Sequence, residues 1–172
     1  MLSKTMQDVI NKQIARELDA AYTYLGIAAY CSQEQYNGFA NYFRVQTQEE
    51  LFHASKMITF VLDAGGKIDL PSIASAKTEF GSLMDVLDAS IAHEKENTKG
   101  VHEVADLAIT EKDHATRTFF DWFVTEQVEE EANFEQLIHQ LKLVGQDGQG
   151  VYLMDKELAL RVFSMPTTTA QV

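Results

Sequence analysis

The sequence predicts an all-α domain: a four-helix bundle with one long crossover loop between helices two and three, and a short C-terminal fifth helix. Three observations carry this reading. Apolar residues recur in steps of three and four along four separate stretches, the spacing of a single helical face. Only two prolines, Pro71 and Pro166, occur in 172 residues, which leaves long stretches without a helix breaker. The four stretches would form helices of roughly 25 to 32 residues, about 40–48 Å long at ~1.5 Å per residue. Short turns join the first to the second and the third to the fourth, so each pair forms an antiparallel hairpin, and the long middle connection runs the length of the bundle.

Taken in order, the first stripe is Ile10, Ile14, Glu17, Ala21, Tyr24 and Ala28, ended by a break at Gln35-Tyr36-Asn37-Gly38. The second is Phe39, Phe43, Gln46, Glu50, His53, Met57, Phe60 and Ala64, stopped by Gly65-Gly66. Lys67 to Gly81 carry Pro71, several serines and no sustained period, as an extended crossover would. The third stripe runs Leu87, Ile91, Glu94, Thr98, Val101, Ala105 and Ala108, weakened by Gly100 at a cost of about 1 kcal/mol. After a turn near Thr110–Lys112, Asp113 is the expected N-cap of the fourth, which runs Phe120, Phe123, Gln127, Glu130, Phe134, Leu137, Leu141 and Val144. A glycine-rich turn from Gly145 to Gly150 then leads to a fifth helix over Val151–Phe163. The polar, threonine-rich tail, 164–172, is expected to be mobile. One domain over 1–163 is the simplest partition.

Composition narrows the function classes. The net charge of −12 argues against nucleic acid and anionic membranes as partners and is compatible with cations. A single cysteine, Cys31, excludes an intrachain disulfide; on an apolar stretch it reads as a small core residue. No segment approaches 18 consecutive apolar residues, and the N-terminal stretch has no signal-type apolar region, so the expected location is the cytoplasm.

The chemistry lies in the seams. Each apolar stripe is interrupted by a carboxylate, Glu17, Glu50, Glu94 or Glu130, and His53 and Gln127 occupy neighbouring seam positions. An ionised carboxylate in an apolar interior is costly, and four converging ones repel one another as well. Bound cations reverse that balance. The breaks lie at similar heights: Glu94 is 16 residues before Thr110 and Glu130 is 17 after Asp113. Glu17 is 16 before Gln33 and Glu50 is 12 after Gly38, an offset of about one turn that long side chains can span. Glu50 and His53, at i and i+3, share one helical face. Oxygen-rich ligation with one imidazole suits iron or manganese better than a structural zinc site.

From about Met1 to Phe163 the chain resembles the bacterial-type non-haem ferritins, within the ferritin-like di-iron superfamily. The resemblance rests on 17-ELDAAYTYL-25, 48-QEELFHA-54, 93-HEKE-96, 122-WFVTEQVEEE-131 and 151-VYLMDKEL-158. It implies a ferroxidase storing iron in a hollow 24-subunit cage, with Fe(II) and dioxygen as partners and the fifth helix at the four-fold axes. By the same resemblance Glu17, Glu50 and His53 match the first iron position, and Glu94 and Glu130 the second, with Glu50 bridging. Gln127 matches the polar neighbour of that centre. Glu49, Glu126 and Glu129, with Glu130 shared, match a third iron position. Tyr24 matches the tyrosine beside the centre, and Trp122 a nearby aromatic.

Departures from neighbouring families sharpen the expectation. Many di-iron enzymes and the bacterioferritins carry a second Glu-x-x-His on the fourth helix, where this chain has Gln127 and Glu130. Bacterioferritins follow the bridging glutamate with a haem-binding methionine, and this chain has Leu51, so no haem is expected. The DNA-protecting mini-ferritins build their site between subunits and lack the fifth helix. His93, His102, His114 and His139 lie outside the ligand seams and read as solvated, as does Glu131, while Trp122 reads as packing. Two alternatives stand beside the ferroxidase: a di-iron oxidase of a small organic substrate, and a non-catalytic bundle whose polar seam positions set pairing register.

Overall fold

The computed structural model of the chain describes residues 2–145 and 148–164. Five helices follow one another: α1 (Lys4–Gln33), α2 (Asn37–Asp63), α3 (Leu83–Glu111), α4 (His114–Val144) and α5 (Gly148–Leu158). Helix α1 packs mainly on α2 and α3 mainly on α4, and the two hairpins meet along α1 and α3. Residues between Gly65 and Gly81 form no helix, as expected of the crossover. Among the described residues no helix is long and apolar enough to cross a membrane.

The caps explain the boundaries. Ser3, Ser82 and Asp113 accept the backbone N–H of Met6, Asp85 and Thr116 and so start α1, α3 and α4. Helix α2 has no cap from its own N-terminal residue. Its cap comes from α5: Asp155 Oδ1 accepts Gly38 N at 2.7 Å and Phe39 N at 3.0 Å. This fixes the residue at position 38, because a Cβ there would lie 1.6 Å from the Asp155 carbonyl oxygen. The α1–α2 break is thus correctly located but turns on Gln35, which is left-handed at φ 65°, with Tyr36 N bonding back to Cys31 O at 2.8 Å. Lys112 ends α3 in the same way at φ 58°.

Helix α5 differs from its expected limits: it begins three residues earlier, at Gly148, and stops at Leu158 rather than Phe163. Asn41 of α2 is the reason. Its Nδ2 donates to the carbonyls of Leu158 at 3.1 Å and Arg161 at 2.9 Å, drawing the chain out of the helix and along α2. Of the tail expected to be mobile, all but Ser164 lies outside the described residues, as do two residues of the glycine-rich turn.

The interior forms two apolar clusters. One gathers Tyr24, Ile27, Phe39, Phe43, Leu87, Phe134 and Met154; the other gathers Ile10, Ile14, Met57, Val101, Phe120 and Phe123. Along each helix the residues separating them are polar and buried: Gln13 and Glu17, Gln46 and Glu50, Glu94 and Asn97, Gln127 and Glu130. Gly100 lies against this layer, where a Cβ would sit 2.0 Å from Gln13 Oε1, so its cost in helix propensity secures close approach of α1 and α3. Cys31 is fully buried, and burial pushes its thiol up to about 12, leaving it an inert core residue.

Candidate metal centre

Glu17, Glu50 and His53 are fully or almost fully buried, and each offers a ligand atom within 4.8 Å of the others. His53 Nδ1 lies 3.4 Å from Glu17 Oε2 and 3.6 Å from Glu50 Oε2. The one-turn offset between Glu17 and Glu50 resolves here. Glu17 stands 16 residues before the end of α1 and His53 stands 16 after the start of α2, so Glu17 is level with the imidazole.

Glu94 and Glu130 are buried on α3 and α4 and lie outside that three-residue group, with Glu94 close enough for its charge to act on both Glu50 and Glu130. Tyr24 donates its hydroxyl to Glu94 Oε1, and Gln127 Nε2 donates to Glu94 Oε2 at 3.2 Å. The Tyr24 ring is held between Phe43 and Phe134, at centroid distances of 5.7 and 5.9 Å. Gln46 Nε2 donates to Glu130 Oε2 at 2.9 Å. Glu17 takes a bond from Gln13 Nε2 at 2.7 Å and another from Asn97 Nδ2 at 3.3 Å.

Glu50 stands apart: both of its carboxylate oxygens are buried without a hydrogen-bond partner among the described residues. A carboxylate only accepts, so a buried, undonated pair of oxygens near an imidazole and the carboxylates of Glu17 and Glu94 fits a cation. The titration of the layer follows its crowding. Burial, then the charge of Glu94, raises the Glu50 carboxyl well above its ordinary value. Burial, then Glu94 and Glu49, pushes Glu130 up to about 8. Burial also raises Glu94, against the donors Tyr24 and Gln127. For Glu17, burial is outweighed by His53, with Glu50 and Gln13 adding to it, and its carboxyl is lowered. Burial would lower His53, yet its two glutamate neighbours raise it well above the ordinary imidazole. Metal ions would replace the protons that such a layer otherwise holds.

The residues expected at a third position are not gathered into a ligand group. Glu129 is exposed, Glu126 is half-buried, and Glu49 is paired with Arg161. His102, His114 and His139 are exposed as expected. His93 departs from that expectation: its side chain is 23% exposed, near Asp19 at 3.5 Å, with its ring 6.1 Å from that of Tyr24. Glu131 is likewise half-buried, accepting the Thr98 hydroxyl at 2.6 Å, and Thr98 in turn accepts Gln127 Nε2 at 3.2 Å. Trp122 packs edge-on against His53 and carries Lys56 Nζ 3.3 Å from its ring centroid.

Sequence reasoning assigned no role to Gln13, Gln46, Asn97 or Arg161. The first three have a readable signal, a polar residue three or four positions from a seam carboxylate on the same face. Arg161 has none, because it reaches its partner only through the turn after α5.

Fold and site together define a class: a four-helix bundle with a buried carboxylate–histidine group able to hold a metal ion. A family model described as the ferritin-like domain matches residues 7–144. The chain is 39% identical to a bacterial non-heme ferritin of Staphylococcus aureus over 163 residues, 95% of this chain and 98% of that one. It is 41% identical to the Staphylococcus epidermidis counterpart, over 95% of this chain and 99% of the relative. Among solved structures, a humanized archaeal ferritin superposes with a TM-score of 0.94 at 41% identity, over 95% and 99% of the two chains. An open-pore ferritin from Archaeoglobus fulgidus superposes with a TM-score of 0.92 at 40% identity, over 94% and 99%. The chain belongs to the ferritin family of iron-storage proteins, in its bacterial non-haem branch.

Proposed function

We propose that the protein oxidises Fe(II) with dioxygen at an intrasubunit di-iron centre and stores the Fe(III) product as mineral inside a cage. The observation that carries this reading is Glu50, whose two buried oxygens have no donor among the described residues and which lies 3.6 Å from His53, within reach of the charges of Glu94 and Glu17. Iron is the substrate. Glu17, Glu50 and His53 bind one Fe(II), Glu94 and Glu130 bind the second, and Glu50 bridges them. Gln127 and Tyr24 hold Glu94 in place. The pair is held roughly 3.5–4 Å apart, as two-metal sites require. Each ion gives one electron to the same dioxygen, the acceptor.

Two irons supply half of the four electrons that take dioxygen to water. A third ion, on Glu49, Glu126, Glu129 and Glu130, would supply a third electron and a further Fe(II) the fourth, so that the iron consumed per dioxygen rises from two towards four. Glu129→Ala should therefore keep the initial fast phase while changing the iron consumed per oxygen or slowing later additions. An oxygen electrode with stopped-flow absorbance checks this; an unchanged ratio and unchanged later phases would remove the third position from the reaction.

The cage reading draws support from apolar surface: Leu153, Leu160 and Val162 around α5 are 59%, 79% and 77% exposed, and Leu25 and Leu70 on the bundle are half exposed. We expect one domain per subunit over 1–163, 24 subunits per particle, and a cytoplasmic location. Sedimentation at neutral pH should give a single large particle; a stable monomer or dimer would overturn the cage. Anaerobic binding of two Fe(II) per subunit, lost in Glu50→Ala, tests the centre itself, and a di-iron oxidase of an organic substrate would bind the same two ions without accumulating mineral.

A further inference from the structure

We propose that Arg161 is a built-in competitor for the third iron position: its guanidinium occupies Glu49 and must be displaced before an ion binds there. The inference rests on reading Glu49 as a ligand of that position. Arg161 Nη2 donates to Glu49 Oε2 at 2.6 Å, with both side chains largely buried, at 23% and 20% exposure. A carboxylate engaged by a guanidinium this closely has its charge already compensated, and a metal ion must break that pair to use the oxygen.

The pairing is held from two sides. The Arg161 guanidinium carbon lies 4.2 Å from the Tyr42 ring centroid, a cation–π contact on α2. The Arg161 backbone carbonyl accepts Asn41 Nδ2, and that strap sets the guanidinium over Glu49, two turns further along the same helix. It is also incomplete. Among the described residues Arg161 Nη1 is buried with no hydrogen-bond partner, and one arm of the fork, Nη2, holds Glu49. A cavity of about 190 Å³, lined by Tyr42, Asn133, Gln136, Glu157 and Arg161, opens beside it and gives the side chain somewhere to go. A single-armed ion pair with an adjacent cavity is a latch that a divalent ion opens. It leaves the di-iron centre free to fill first.

The test is calorimetric titration of the assembled, metal-free protein with Zn(II), which cannot be oxidised, and anaerobically with Fe(II). In Arg161→Gln the third ion per subunit should bind about tenfold tighter or more, the scale of one partly buried ion pair, while the first two ions bind as in the wild type. Asn41→Ala, which removes the strap and keeps the guanidinium, should move the third ion in the same direction by a smaller factor. Glu49→Gln should abolish it. Unchanged or weakened third-ion binding in both Arg161→Gln and Asn41→Ala, with the Glu49→Gln loss intact, would overturn the latch alone. A third ion that survives Glu49→Gln would instead overturn the reading of Glu49 as ligand, and the latch with it.

Discussion

Replacing His53 with alanine abolishes the fast, oxygen-dependent oxidation of Fe(II), by on the order of 100-fold or more, a larger loss than removal of a supporting hydrogen bond produces at metal sites. The imidazole is the only nitrogen ligand in the layer and lies 3.4 and 3.6 Å from the two carboxylates with which it would share an ion. Glu94→Ala has the same effect from the other side of the centre. It also leaves the Tyr24 hydroxyl without its acceptor, at a cost of about 1–3 kcal/mol in the metal-free protein. Both variants remain helical, because no residue of the two apolar clusters is replaced. Stopped-flow absorbance with far-ultraviolet dichroism measures both properties at once. A folded His53→Ala or Glu94→Ala protein oxidising iron at the wild-type rate would show that the chemistry lies elsewhere.

The metal-free protein loses stability as pH rises from about 4.5 to about 8. Glu130 ionises near its ordinary 4.5 when unfolded but holds its proton to about 8 when folded. Between those values the folded state binds more protons, so the free energy of unfolding falls with pH across the window. Glu50 and Glu94, also raised, act in the same direction. His53, raised as well, contributes stability that is present below its unfolded value and lost as pH climbs through its folded one. Within the buried layer Glu17 alone is lowered, and its contribution is lost only as pH falls below 4.5. The net change is of order a few kcal/mol, or about 2–4 °C of melting temperature for each. Calorimetric melting at stepped pH reads it. Saturating Zn(II) should flatten the slope, since bound metal replaces the protons. A slope of the opposite sign would mean that the carboxylates are ionised in the metal-free fold.

How far the sequence carried follows from where each feature is encoded. The first stripe is buried throughout, and the second and fourth are buried except at their C-terminal ends, where Phe60, Ala64 and Val144 are half-buried. The third is partly off register: Ile91, Thr98 and Ala105 are half-buried, while Ser90, Asn97 and Val104 beside them are buried. Every seam break except Thr98 is a buried polar residue. That information is local, written at a period of 3.6 residues, and an ionisable residue on such a stripe is conspicuous in sequence. The hydrogen-bond partners were not legible in the same way. Gln13 and Asn97 meet across 84 residues, and a glutamine near a seam looks like any boundary position until the packing puts a carboxylate opposite it. Turn chemistry was legible in part. The break at Gln35-Tyr36-Asn37-Gly38 falls where the sequence places it, with Gln35 making the turn, but the reason for Gly38, the approach of Asp155 from α5, is not written locally. The end of α5 is set by Asn41, more than a hundred residues away, and no local signal near Leu158 announces it.

One measurement bears most directly on the central claim. Metal-free protein is loaded anaerobically with a large excess of Fe(II), oxygen is admitted, and the iron that travels with the protein on a sizing column is counted per particle. Oxidation at Glu17, Glu50, His53, Glu94 and Glu130 followed by storage predicts a large particle holding hundreds of irons or more. Iron limited to the few ions that the site itself binds, or a particle too small to enclose a cavity, would contradict it.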